Sequence, residues 1–358
     1  MELDKLNGLL AAGVRHGASD IHFRPAAPPL YRVRGELVAL KHELLKPSDT
    51  EAVARHVLAR SLPPERIAEL QEHDSSYSLP GIARFRVNAY RQRNSLALVL
   101  RIVPSEIPTL EQLALPPIIQ QIAEIERGLM LVTGATGSGK STTLAAMIQH
   151  INTQRSAHII TIEDPLEFLH RNVRASISQR EIGLDTRSYA AGLRAALRQD
   201  PDVILVGEMR DAESIDIALK AAETGHAVFS TVHTTDAAKT IGRLASVFPA
   251  DEQEAVRHRI ADNLRATISQ RLLPRADGEG RVVALEIMIV TATVQEYLRD
   301  SQRVAGLRDV IEQGRSQYQM QTFDQHLTDL YRGGVITLET ALQAASNASD
   351  FQRALTIE

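Results

Sequence analysis

The chain has no cysteine, which excludes a disulfide framework and any cysteine-ligated zinc site. It has no apolar run of membrane-spanning length: the nearest, Val282 to Val294, is short and carries Glu286. The first residues, Met1-Glu-Leu-Asp-Lys, are acidic and polar and lack the apolar core of a secretory leader. A cytoplasmic protein is therefore expected, one that would reach a membrane only through a partner. Aromatic residues are 4% of the chain and the formal net charge is −4. A nucleic-acid translocase would need stacking aromatics or a basic track, so no nucleic-acid partner is expected. Lysine is scarce too, supplying six of the 40 basic residues, one of them Lys140. The arginine excess reads either as codon composition alone or as suited to bidentate pairing across subunit interfaces and to phosphates.

What is present fits two soluble domains. A chain of 358 residues, 44% hydrophobic and 23% charged, can bury a core in each. Residues 1–103 form the first block. A short amphipathic helix from Leu3 to His16 precedes strand-like Ser19 to Phe23 and Leu30 to Arg34, a turn at Gly35-Glu36, and Leu37 to Leu40. A helical stretch from Ser48, its expected N-cap, to Glu72 is broken at Pro63-Pro64. A hairpin of Ala83 to Tyr90 and Leu96 to Val103 follows, with Arg84, Arg86 and Asn88 on one face and Phe85, Val87 and Ala89 on the other. A mixed sheet flanked by helices is the expectation for this block.

Pro104, Pro108, Pro116 and Pro117 mark a linker over 104–120. In 121–358 four apolar runs alternate with helical segments: Gly128 to Thr133, His158 to Ile162, Val203 to Val206 and Ala227 to Val232. That pattern predicts a mostly parallel α/β sheet covered on both faces. From Val304 the chain reads as an amphipathic helical tail interrupted at Gly333-Gly334.

The chemistry is concentrated in this second block. Gly134-Ala135-Thr136-Gly137-Ser138-Gly139-Lys140-Ser141 is a complete G-x-x-x-x-G-K-S loop between an apolar strand and a helix-forming run that starts at Thr142. Such a loop turns backbone N–H groups around phosphates at the positive end of a helix. Lys140 would reach the β- and γ-phosphates of ATP, and the Ser141 hydroxyl would bind Mg2+. Two strands end in carboxylates: Ile159 to Ile162 at Glu163-Asp164, and Val203 to Val206 at Gly207-Glu208. Strand ends of open parallel sheets collect chemistry, and a P-loop site needs one carboxylate for Mg2+ and another acceptor for the attacking water. His233, at the end of Gly225-His226-Ala-Val-Phe-Ser-Thr-Val-His233, points to the same edge. It either contacts the γ-phosphate or is a satisfied structural histidine.

Together these segments resemble the secretion-motor ATPases that serve type II secretion and type IV pili. The resemblance lies in Leu197-Arg-Gln-Asp-Pro-Asp-Val-Ile-Leu-Val-Gly-Glu-Met-Arg-Asp211, in the acidic box Ile162 to Glu167 and in the histidine box Gly225 to Thr234. Ala18 to His22, Gln179 to Gly183 and Met320 to Gln325 are similar to the pattern of the pilus-retraction motors. Thr235 departs from it, standing where Asn is common.

The resemblance implies a PAS-like N-terminal domain, a RecA-like P-loop core and a homohexamer at the inner membrane that drives retraction and twitching motility. The partners it implies are a membrane platform protein and a paralogous motor. It raises His233 and His226 to catalytic candidates, Glu163 to water-orienting residue and Glu208 to Mg2+-associated or catalytic carboxylate. Arg84, Arg86, Arg91 and Arg101 become candidates for facing nucleotide across an interface. An accessory retraction motor shares every one of these motifs. The assembly and secretion motors commonly carry a tetracysteine zinc module and an extra N-terminal domain, and neither is expected here.

Overall fold

A computed structural model of the chain describes residues 1–104 and 106–357; Ser105, inside the expected linker, and Glu358 lie outside the described residues. The chain folds as two compact units. The first comprises Met1–Glu106 together with Asp164–His170 and Glu181–Arg187, and the rest of the chain forms the second. Two segments from beyond residue 160 thus belong with the first unit.

The first unit opens with α1 (Leu3–Arg15), whose Leu6 and Leu10 recur at helical spacing and are buried. Its strands are β1 (Ala18–Phe23), β2 (Leu30–Val33) and β3 (Glu36–Ala39), then, after α2 (Pro47–Val57), β4 (Glu72–Leu79), β5 (Ala83–Gln92) and β6 (Ser95–Val103). They form one sheet in the order β3-β2-β1-β6-β5-β4. Every pairing is antiparallel, where a mixed sheet was expected. Hairpins join most consecutive strands, and the one long connection, through α2, runs from one edge strand to the other. The β2–β3 turn is Arg34-Gly35, both with positive φ, because Val33 pairs directly with Glu36.

Ser48 does not cap α2. Lys46 holds that position and donates its N–H to Asp49 at 2.9 Å, while Pro47 takes the first helical turn, where its missing N–H costs nothing. Strand β4 was not foreseen, since Glu-His-Asp-Ser-Ser-Tyr-Ser-Leu is polar and is held by pairing with β5. Phe85, Val87 and Ala89 are buried, so Arg84, Arg86 and Asn88 stand on the opposite face as the alternation predicts.

The second unit carries the site. After α3 (Ile118–Ala123) come β7 (Gly128–Gly134), α4 (Lys140–Gln154), β8 (His158–Glu163), β9 (Ser176–Glu181), α5 (Tyr189–Ala196), β10 (Val203–Val206), α6 (Ala212–Glu223), β11 (Ala227–Val232), α7 (Ala237–Ser246), α8 (Gln253–Asn263), β12 (Leu264–Pro274) and β13 (Arg281–Ile289). The sheet order is β13-β12-β7-β11-β10-β8-β9. The four foreseen strands and β12 run parallel; β13 closes one edge antiparallel to β12. Ile162 pairs with Val206, Val206 with Ser230, and Val232 with Thr133, so the carboxyl ends of four strands lie along one edge. Strand β7 is buried along its whole length, as helices on both faces require. The run Val282 to Val294 proves to be most of β13 and the start of α9 (Ala292–Arg299).

The tail comprises α10 (Leu307–Gln313), α11 (Arg315–Tyr318), α12 (Phe323–Arg332), α13 (Leu338–Ala344) and α14 (Ala348–Ile357), with the foreseen break at Gly333-Gly334. Phe323, Leu327, Ile336 and Ala341 pack on Leu273, Val282 and Ala284 of the last two strands. This is a mixed α/β architecture, PAS-like in the first unit and RecA-like in the second. No described helix is long and apolar enough to cross a membrane.

His326 of α12 ties the tail to the sheet. Its Nδ1 accepts the Leu285 N–H at 2.9 Å, and burial pushes the imidazole pKa down to about 4. A histidine kept neutral in the fold contributes stability that is complete above its unfolded pKa near 6.5 and is lost as pH falls towards 4. The stability difference between the parent and His326→Gln should be constant above pH 6.5 and shrink by about 3 kcal/mol towards pH 4. Denaturant melts across that range would read it; a pH-independent difference would exclude this role.

Candidate active site

The phosphate loop is shaped by what its residue types permit. Strand β7 ends at Gly134 with φ +147°, and a Cβ there would lie 2.5 Å from Ser138 Oγ and 2.6 Å from the Gln270 carbonyl oxygen. Only glycine fits. Gly139, at φ +90°, turns the chain so that α4 starts at Lys140. Ala135, Thr136 and Gly137 form an exposed crest, Ser141 is exposed, Thr142 is half-buried, and Ser138 is buried with its Oγ unpartnered. Lys140 is 7% exposed and donates Nζ to the carbonyls of Gly134 and Ala135, both at 2.9 Å. Burial lowers its pKa and the Glu208 charge raises it, the second effect opposing the first. An open crest, a helix N-terminus and one buried ammonium suit a polyphosphate.

The carboxylates foreseen beside the loop are at this edge. Gly207 donates its N–H to the Ile162 carbonyl at 2.8 Å, which sets Glu163 and Glu208 on neighbouring strand ends. Thr161 donates its hydroxyl to Glu163 Oε1 at 2.7 Å, and Gln179 Nε2 lies 3.4 Å from the same oxygen. Glu208 has charged neighbours: Arg210 Nη2 is 2.6 Å from one oxygen and His233 Nε2 is 3.4 Å from the other. Lys140, Glu208 and His233 are thus drawn together, with Glu163 one strand further along. Among the described residues no group of three or more His, Asp and Glu side chains could hold a metal alone. Ser141 and Glu208 suit Mg2+, which takes few protein oxygens and completes its shell with phosphate and water.

His226 does not join them. It precedes β11, its carbonyl accepts the Gly128 N–H at the start of β7, and its Nδ1 faces the Ala221 carbonyl at 2.9 Å. The six residues of β11 separate it from His233, roughly 20 Å at strand rise. One strand has two ends, and only one of them is the site.

The four arginines of the first unit divide as well. Arg84 pairs with the buried Glu181 at 2.8 Å, and Arg86 pairs with Glu167 at 2.7 Å. Arg91 donates to the backbone carbonyls of Leu70, Asn94 and Ala68, which makes it a brace for the chain around it. Arg101 is the open one: its side chain is 66% exposed, and Asp20 holds Nε at 2.9 Å.

A family model described as type II/IV secretion system protein matches residues 3–353. The chain belongs to this family. Within the type II/IV secretion system family it is 43% identical over 343 residues to the "Type IV pilus retractation ATPase PilT" of Pseudomonas aeruginosa, covering 96% of this chain and 98% of that one. It is 40% identical over 352 residues to the "Type IV pilus ATPase PilU" of the same organism, covering 98% and 91%. A crystal structure of the pilus retraction motor PilT with bound ADP superposes with a TM-score of 0.87 at 42% identity, over 97% of this chain and 99% of that one.

Gln270 was not foreseen as a site residue. It lies on β12 beside the loop strand, pairs with Gly134, and directs Nε2 to the Ser138 carbonyl at 3.3 Å. Its signal was the alternation of Leu264, Ala266 and Ile268 with Arg265, Thr267 and Ser269, a strand pattern beside the loop that the motif reading passed over.

Proposed function

We propose that this chain is an ATP-hydrolysing motor that retracts type IV pili, working as a homohexamer on the cytoplasmic face of the inner membrane. The observation that carries the chemistry is the grouping of Lys140, Glu208 and His233 at one sheet edge beside a complete phosphate loop. Near full-length similarity to a retraction ATPase supports the direction of work.

In this reading the loop from Gly134 to Thr142 cradles the phosphates of ATP and Lys140 meets the β- and γ-phosphates. Ser141 and Glu208 would hold Mg2+, which neutralises charge between those phosphates when bound. Glu163, fixed by Thr161, orients the attacking water. His233 contacts the γ-phosphate and passes its loss to Glu208. Arg101, the most open of the four arginines, faces the nucleotide of a neighbouring subunit. The two compact units act as domains that shift on hydrolysis. A membrane platform protein takes up the motion.

Deletion of the gene followed by complementation tests the direction. Cells with abundant pili and no twitching are expected; bald cells would make this an assembly motor. The similarity to PilU over 98% of the chain supports a second reading, an accessory retraction motor. Normal pili with motility reduced only under load would favour it.

A further inference from the structure

Strand β13 is one of the two edge strands of its sheet, yet Glu286 near its centre is only 7% exposed. A buried carboxylate needs a donor. The donor is the Ala237 N–H, 2.8 Å from Oε1. Ala237 is the first residue of α7, so Glu286 satisfies one of the N–H groups that a helix start leaves unpaired, at its positive end. Asp236 satisfies another, accepting the Lys239 N–H at 2.8 Å. The charged groups around Glu286 are Asp236, the N-cap of α7, Lys239 from α7, Arg271 from β12, and Arg308 from α10, which pairs with Asp324 of α12. Burial foremost, with Asp236, pushes its pKa up to about 7 against the Ala237 bond, Arg271 and Arg308.

The start of α7 in turn sets His233. Thr234 Oγ1 lies 2.6 Å from Thr240 Oγ1, and Thr240 Oγ1 donates to the Asp236 carbonyl at 2.7 Å. His233 is therefore strung between the end of β11 and the first turn of α7. Its side chain is 41% exposed. Packing does not fix an imidazole so exposed; its backbone must.

We propose that Glu286 is a positioning residue: by holding the first N–H of α7 from β13, it fixes the loop 233–236 and keeps His233 against Glu208. This rests on the ATPase reading above. The same contact joins the site to the strand on which the C-terminal helices pack.

Steady-state ATP hydrolysis by the full chain tests it, comparing Glu286→Ala, Glu286→Gln, His233→Ala and the Glu286→Ala/His233→Ala double variant. Glu286→Ala should lose about 10-fold or more in kcat, as a small misplacement does. Its KM for ATP should stay within about 3-fold, because the phosphate loop is untouched. Glu286→Gln keeps an oxygen acceptor for the same N–H and should restore kcat, and the double variant should be no slower than His233→Ala alone. A parent-like rate for Glu286→Ala, a loss confined to KM, a Gln variant as slow as Ala, or losses that multiply in the double variant would each overturn the proposal. Hydrogen exchange separates it from the functional reading. Faster exchange of residues 233–240 in Glu286→Ala, with the phosphate loop unchanged, is expected whether or not the parent hydrolyses ATP. Unchanged exchange there overturns the positioning role. A parent with no turnover overturns only the ATPase reading.

Discussion

Lys140→Ala is expected to reduce ATP turnover about 10³-fold or more. The ammonium is the one cation the loop itself supplies, held by the Gly134 and Ala135 carbonyls where a phosphate would meet it. At an effective dielectric of about 20, a unit charge some 4 Å from a phosphate charge is worth about 4 kcal/mol. That is about a thousandfold in rate if it is realised in the transition state. The fold should survive, because the change removes a buried charge and leaves two carbonyls beside an exposed crest. Phosphate release and a thermal melt on the same preparation separate the two effects. A folded variant that hydrolyses ATP at the parent rate would remove Lys140 from the site.

Glu208→Gln should give the second largest effect, a fall of about 10²–10³ in kcat with ATP binding within a few-fold of the parent. Glutamine keeps the size of the side chain and an acceptor for Arg210 while abolishing the charge. That charge is felt at Lys140 and faces His233 at 3.4 Å, so it acts where the phosphates meet the sheet edge. Binding depends more on the phosphate loop, which the substitution leaves intact. Equilibrium binding of a fluorescent ATP analogue, read beside single-turnover hydrolysis, distinguishes the two. Undiminished hydrolysis would exclude Glu208, and the same assay on Glu163→Gln would then assign the catalytic carboxylate.

The strands that carry the site were legible because a central strand of a parallel sheet is apolar on both faces and short. Val203-Ile-Leu-Val206 and Ala227 to Val232 announce themselves, and the residue after each falls at the active edge. Strands β4 and β12 were not foreseen. The sequence of β4 is polar and β5 holds it in place, while β12 does alternate from Leu264 to Ser269 but carries no motif that marks it as part of the site. Gln270 was lost with β12, and Glu286 appeared in the sequence only as the charge that spoils a membrane span.

His226 and His233 show where motif reasoning stops. They lie in one box, seven residues apart in the sequence, and the extended strand β11 carries them to its opposite ends. The arginines make the same point. Alternation put Arg84 and Arg86 on one face, but it could not tell that Arg84 would pair with a buried glutamate while Arg91 braced backbone carbonyls.

By itself the sequence determined the phosphate loop, the parallel core and the carboxylates at its edge, because each follows from local chemistry: glycine at positive φ, apolar runs of strand length, a lysine at a helix start. Only the tertiary structure decided which of those groups meet. Contacts such as Glu286 with Ala237 and Glu208 with His233 depend on strand order and register, and these are set by packing between residues far apart in the chain.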